Sequence, residues 1–246
     1  MRERRRARAL LAPRARPPAD RTLLQTPAEQ PSDRQYDAWR VLRFVSEFVE
    51  GFDALSEIGP AVTCFGSART KENDPRYRQA MQVGAALARR GVAVITGGGP
   101  GIMEAVNRGC AEAGGLSVGC NIELPNEQAF NEWVEIGVEF RHFFVRKTMF
   151  VKYAQGFVIF PGGYGTLDEL FEALTLSQTG KIEHFPIVLF GRAYWRGLLA
   201  WMGDQALEQR MIDPGDLDLV SITDDPEEAA DAATRRPAPI LEAGGQ

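Results

Sequence analysis

Val92-Ala93-Val94-Ile95-Thr96-Gly97-Gly98-Gly99-Pro100-Gly101 runs from an apolar stretch into a cluster of glycines, and Phe157-Val158-Ile159-Phe160-Pro161-Gly162-Gly163-Tyr164-Gly165-Thr166 does the same further along the chain. Each stretch reads as a buried parallel strand, a tight glycine turn and the start of a helix. Such a turn presents backbone N–H groups at a helix N-terminus, where an anion is favoured. Two of them imply a phosphate gripped from two sides, and therefore a nucleotide.

Around these stretches the chain alternates regularly. Apolar strand candidates fall at 61–65, 92–96, 116–121, 156–160 and 186–190, with a weaker one at 218–222. Helical stretches lie at 75–90, 101–113, 143–155, 166–178 and 194–209, and Gly91 and Gly114-Gly115 stand where helix C-caps belong. Continuous apolar strands alternating with helices imply a parallel sheet covered on both faces. With right-handed crossovers the expectation is an α/β fold, a Rossmann-like doubly wound parallel sheet forming a single domain at 34–233. Its ligand site belongs outside the C-terminal strand ends, where both glycine turns fall. An extra N-terminal helix is expected at 36–55, where Trp39, Leu42, Val45, Phe48, Val49, Phe52 and Leu55 recur at helical spacing. That face covers either a neighbouring subunit or the helix's own domain.

The 246 residues are 44% hydrophobic and 25% charged, as in an ordinary soluble protein with a sizeable core. No apolar run approaches the ~18 residues of a membrane span. The net charge of −5 argues against nucleic acid as a partner. Cys64, Cys110 and Cys120 form no CxxC pair and read as reduced thiols of a cytoplasmic protein. Residues 1–33 read as a disordered basic tail, idle for activity, with eight arginines among the first 21 residues. Residues 234–246 read as a flexible C-terminal tail.

The motifs narrow the ligand. In a GxGxxG fingerprint the third glycine falls on Ile102 after Gly97 and Gly99, and on Asp168 after Gly163 and Gly165, so both fail. The Walker pattern is absent as well. A mononucleotide in a Rossmann-like crevice remains. Thr166-Leu167-Asp168-Glu169 is ambiguous: T-x-x-E is a helix capping box, and it equally puts a carboxylate one turn from a bound phosphate. Spacing alone does not decide between them. Arg146 and Lys147 read either as a solvated helix face or as part of the site. His142 and His184 stand far apart in sequence and suggest structural roles, with no metal set and no Ser/His/Asp arrangement.

Assembled, these residues resemble the Lonely Guy family of cytokinin riboside 5′-monophosphate phosphoribohydrolases, whose members were often labelled possible lysine decarboxylases. PGGxGTxxE is met by Pro161, Gly162, Gly163, Gly165, Thr166 and Glu169, the arginine–lysine pair by Arg146-Lys147, and the opening strand by Phe65-Gly66-Ser67. The glycine element departs from GGGxxGxM: Gly97 to Met103 reads GGGxGxM, as in longer bacterial members, and Glu104 stands where many plant-type members carry glycine. The resemblance covers roughly residues 36–225.

It implies hydrolysis of the N-glycosidic bond of AMP or an N6-modified AMP, a cytokinin precursor, to free base and ribose 5-phosphate. Arg146 and Glu169 are then catalytic. Ser67, Gly98, Gly99, Gly101, Met103, Lys147, Gly162, Gly163, Gly165 and Thr166 bind substrate, the glycines and Thr166 holding the phosphate. No metal and no cofactor is implied. The partner is a nucleoside 5′-monophosphate, with no nucleic acid and no membrane, and the longer subgroup implies a homo-oligomer, a dimer or hexamer. A nucleotide sensor or cofactor carrier of the same fold is the alternative. PLP-dependent decarboxylation has little support, because the motif offers only Lys147 as a Schiff-base lysine.

Overall fold

The structure is a computed structural model describing residues 19–24, 34–124, 129–182 and 185–235. Seven strands form among these: β1 (Ala61–Phe65), β2 (Ala93–Thr96), β3 (Ser117–Ile122), β4 (Ile136–Phe140), β5 (Phe157–Ile159), β6 (Ile187–Phe190) and β7 (Val220–Thr223). They build one sheet in the order β4-β3-β2-β1-β5-β6-β7, every neighbouring pair parallel. The helices are α1 (Ala19–Leu23), α2 (Arg34–Leu55), α3 (Pro75–Arg89), α4 (Ile102–Glu112), α5 (Phe143–Lys152), α6 (Tyr164–Gln178), α7 (Arg192–Trp201) and α8 (Pro226–Thr234).

The strand sequences explain the layering. All residues of β1, β2, β3, β5 and β6 are buried, because helices cover both faces of a parallel sheet. Val62, Cys64, Val94, Val158 and Val188 face α3, α4 and α8 in one apolar cluster. Phe65, Ile95, Phe157, Ile159 and Leu189 face the opposite cluster, with α2, α5, α6 and α7. The chain leaves β1 toward β2, whereas the strand on β1's other side is β5. That reversal of order opens a crevice beyond the C-terminal ends of β1 and β5.

The expected doubly wound sheet is present. Its strands and helices lie close to the expected positions, and Gly91 and Gly114 take positive φ just past α3 and α4. Several details differ. The edge strand β4 and the closing helix α8 were not expected. The stretch expected as one helix over 194–209 is α7 followed by a π-helical segment, Met202–Leu207. Within the stretch expected as a disordered tail, Ala19–Leu23 forms a helix. The remainder of 1–33, the chain beyond 235 and His184 lie outside the described residues.

The face that α2 turns inward also differs from expectation. Glu47, Gly51 and Leu55 are buried and Phe44 and Phe48 half-buried, whereas Trp39, Leu42, Val45 and Val49 are exposed. Gly51 allows the close approach: a Cβ there would stand 3.0 Å from the Met149 sulfur and from the Phe140 ring. Of the apolar positions expected on one face, Phe48 and Leu55 therefore pack on the domain. Phe52 lies at the border of that face, its ring near those of Phe48 and Tyr153, and Trp39, Leu42, Val45 and Val49 form a second stripe directed outward.

Candidate active site

The turn after β1 stitches the two glycine clusters together. The Ser67 amide donates to the Pro161 carbonyl at 3.1 Å, and the Ser67 carbonyl accepts from the Ile102 amide at 3.0 Å. Both α4 and the second glycine turn are thus held against one residue. Gly101, the residue before α4, has φ +72, and a Cβ there would sit 2.4 Å from the Ser67 carbonyl oxygen. Only glycine satisfies both conditions. The Ser67 hydroxyl accepts from the Arg69 amide at 3.1 Å. Met103 brings its sulfur against Gly97, where a Cβ would lie 2.8 Å away.

The first glycine turn is braced from behind by a buried polar network. Thr96 Oγ1 donates to Asn107 Oδ1 at 2.6 Å and accepts from the Gly98 amide at 2.9 Å. Asn107 Nδ2 donates to Ser117 Oγ at 2.8 Å, and Asn131 Nδ2 donates to Asn107 Oδ1 and to the carbonyls of Gly98 and Gly99. Phe130 lays its ring over Gly98, Gly119 and Gly137, filling the space their missing side chains leave. The Gly98 amide is therefore engaged within the turn itself, and Gly99 and Gly101, like Gly98, are buried. Asn107 carried a signal in sequence, a polar residue among Ile102, Ala105, Val106 and Cys110 on one helix face. Phe130 and Asn131 carried none.

The second turn decides the ambiguity at Thr166 and Glu169. α6 begins at Tyr164 behind Gly163, with no side-chain cap. Thr166 is thus third in the helix and Glu169 sixth, whereas a capping box needs them at the cap and at N3. The capping role is not realised. The Thr166 amide already donates to the Gly163 carbonyl at 3.0 Å, leaving Tyr164 and Gly165 to present the orphan N–H groups of the first turn. Gly163, Tyr164 and Gly165 are exposed, and a Cβ at Gly163 or Gly165 would meet nothing within 4 Å. Gly162 is packed instead: a Cβ there would meet Thr166 Oγ1 at 2.1 Å.

Glu169 points inward, 4% exposed, and its Oε2 has no hydrogen-bond partner among the described residues. Burial pushes its carboxyl up to about 8, against the pull of Lys147 and Arg146. Arg146 on α5 is half-buried beside it. Its Nε lacks a partner among the described residues, and its guanidinium lies 4.9 Å from the Phe143 ring centre and 5.3 Å from that of Phe150. Burial pulls the guanidinium down from its ordinary value and the nearby Glu169 opposes this. Lys147 bonds Asp168 at 2.9 Å and Glu172 at 3.0 Å, tying α5 to α6. It meets α6 carboxylates rather than either glycine turn. Lys147, Asp168, Phe171, Glu172, Thr175 and Leu176 line an open concavity on that side.

His142 is structural, its ring held by Glu47. Burial raises the thiols of Cys64, Cys110 and Cys120, so none is a thiolate near neutrality. Among the described residues no cluster of three His, Cys, Asp or Glu side chains is placed to hold a metal, and no helix is long and apolar enough to cross a membrane.

Fold and site together define a class: a Rossmann-like α/β protein whose two glycine turns meet at the sheet's switch point, near a half-buried arginine and a buried carboxyl. A family model described as "Possible lysine decarboxylase" matches residues 103–233, and the chain belongs to that family. Among curated relatives, rice LOGL5, named a probable cytokinin riboside 5′-monophosphate phosphoribohydrolase, is 34% identical over 142 residues, 55% of each chain. Rice LOGL3, named likewise, is 31% identical over 156 residues, 62% of this chain and 73% of that one. The chain thus spans about half the length of the first relative and nearly three quarters of the second. Among solved structures, the X-ray structure of the structural-genomics target TM1055 superposes with a TM-score of 0.53 at 25% identity, covering 69% of this chain and 95% of that one.

Proposed function

We propose that the protein hydrolyses the N-glycosidic bond of a purine nucleoside 5′-monophosphate, AMP or an N6-modified AMP, releasing the base and ribose 5-phosphate. The observation that carries this reading is Glu169: a buried carboxyl, one oxygen without a partner among the described residues, held close to neutral pH in its titration, beside a half-buried arginine. Such a group is costly to fold and useful only to a reaction that moves a proton or develops positive charge. The names of the curated relatives point to the same bond.

The phosphate sits on the amides of Gly99 and Gly101 and on those of the exposed Tyr164 and Gly165, with the Thr166 hydroxyl close by. Binding energy from this remote group fixes C1′ over Glu169. Glu169 enters protonated. As the C1′–N bond breaks, its electron pair stays with the base and the Glu169 proton neutralises it. The carboxylate left behind stabilises the oxocarbenium-like ribosyl centre. Water then adds to C1′ and returns a proton to Glu169, closing the cycle without a metal or cofactor. Arg146 orients the carboxyl and the departing base, and remains charged throughout. Ser67 and Met103 line the ribose and base end.

The outward stripe of α2, Trp39, Leu42, Val45 and Val49, supports a homo-oligomer as the working form. Light scattering at micromolar concentration tests it, and a monomer removes it. The activity is tested by incubation with AMP and with N6-isopentenyl-AMP, following base and ribose 5-phosphate by chromatography, with Glu169→Gln and Arg146→Ala alongside. Release by the parent alone supports the hydrolase. Tight binding without release moves the reading to a nucleotide sensor or carrier.

A further inference from the structure

The helix that carries Arg146 does not start itself. α5 reads FFVRKTMFVK, rich in aromatic and β-branched residues of weak helix propensity, and its cap residue His142 offers no side-chain cap to its own helix. A ten-residue helix of this composition depends on its surroundings. Two carboxylates from outside supply what is missing. Glu47 on α2 accepts from the amides of Arg141 and His142 at 3.0 and 3.2 Å through Oε2, and meets His142 Nδ1 at 2.8 Å through Oε1. Asp20 on α1 accepts from the Phe143 amide at 3.0 Å.

Three consecutive amides are therefore satisfied by anions placed where the helix dipole favours them. Phe44 locks the arrangement, edge-on to His142 at 4.6 Å and to Phe144 at 5.1 Å. The link to the site is direct: the His142 carbonyl accepts from the Arg146 amide at 3.3 Å, so the residue gripped by Glu47 holds Arg146 one turn later. Both carboxylates lie outside residues 103–233, the part matched by the family model.

We infer that the N-terminal arm positions the catalytic arginine: Glu47 and Asp20 cap α5 from outside and thereby set where Arg146 meets Glu169 and the substrate. The inference rests on the hydrolase reading above and revises the expectation that residues 1–33 are idle. Glu47 and Asp20 are positioning residues, acting through the helix.

The test compares Glu47→Gln and Asp20→Asn with the parent, using the full chain. Both variants keep the shape and lose the charge. We expect faster amide exchange in the first turn of α5, a fall in kcat of about tenfold for Glu47→Gln with KM within twofold, and a smaller fall for Asp20→Asn. On an Arg146→Ala background Glu47→Gln should cause no further fall in kcat, because the effect runs through the arginine. A structural role alone lowers Tm and active fraction and remains additive with Arg146→Ala. Unchanged exchange overturns the inference, as does loosened exchange with parental kcat, or an additive cycle. A parent that releases no base from any monophosphate overturns the hydrolase reading itself, a result distinct from an active parent whose variants match it.

Discussion

Glu169→Gln should make the protein more stable while removing its turnover. The carboxyl is held about 8 rather than at its ordinary 4.5, chiefly by burial. Below pH 4.5 it is protonated in both folded and unfolded chains, so no ionisation penalty separates glutamate from glutamine there. As pH rises the unfolded chain ionises first. The parent then loses stability progressively up to about pH 8, where the folded carboxyl ionises too and the loss levels off. Each tenfold in proton affinity is worth about 1.4 kcal/mol, which bounds the penalty near 5 kcal/mol above pH 8 and near 3 kcal/mol at pH 7. The amide that replaces the carboxyl inherits its unpartnered position, reducing the gain to about 2–3 kcal/mol. For a chain of this length that is roughly 5–10 °C in Tm. The assay is thermal and urea denaturation of both proteins from pH 5 to 9 at one protomer concentration. A variant no more stable than the parent at pH 8, or a difference the same at pH 5 and pH 8, would refute the buried-carboxyl argument.

The same titration predicts the pH profile of the reaction. If Glu169 must enter protonated, kcat/KM of the parent falls as pH rises past about 8, and a profile still flat at pH 9 removes it as proton donor. Two glycine variants separate phosphate binding from folding. Gly165→Ala sits in the first turn of α6 with nothing within 4 Å of the added methyl, so Tm should hold or rise while KM for AMP rises at least tenfold. Gly101→Ala combines a positive φ with a 2.4 Å contact to the Ser67 carbonyl and should cost more than about 3 kcal/mol, seen as lost soluble yield or a much lower Tm. An unchanged KM in the first variant, or a normal Tm in the second, contradicts the site as drawn. Asn107→Ala strips a buried partner from Thr96 and from Ser117 and should cost about 2–4 kcal/mol by urea denaturation.

The layers and switch point were legible because parallel strands buried on both faces leave continuous apolar runs, and glycine punctuates them. β4 was missed for a physical reason. As an edge strand it is half-exposed, so Ile136-Gly137-Val138-Glu139-Phe140 alternates in burial instead of running apolar, and the period of two was the signal to read. On α2 four of the apolar residues expected on one face, Trp39, Leu42, Val45 and Val49, proved to be exposed. A buried glutamate and glycine mark the face that packs, and neither contributes to an apolar count. Arg146, Glu169 and the glycines were visible as motif residues. Asn131, Phe130, Asp20 and Glu47 were not, since each acts on an element distant in sequence and only the fold brings them together.

The start of α6 matters more than it first suggests. Had the helix begun one turn later, Thr166 and Glu169 would satisfy each other as a capping box, and the carboxylate would be paired, exposed and cheap. Starting at Tyr164 instead carries Glu169 around to the interior, where one of its oxygens finds nothing. The same three-residue advance frees the amides of Tyr164 and Gly165 for an anion and requires a glycine beneath Thr166, since any Cβ at Gly162 would collide with its hydroxyl. PGGxGTxxE is thus one device in two parts. Its glycines let the helix begin early, and that early start both exposes the turn before α6 and buries the acid. On the opposite wall, α5 cannot hold its arginine without carboxylates lent by the N-terminal arm. Local rules of capping are broken at both helices that converge on the site, which is where a fold yields stability in return for chemistry.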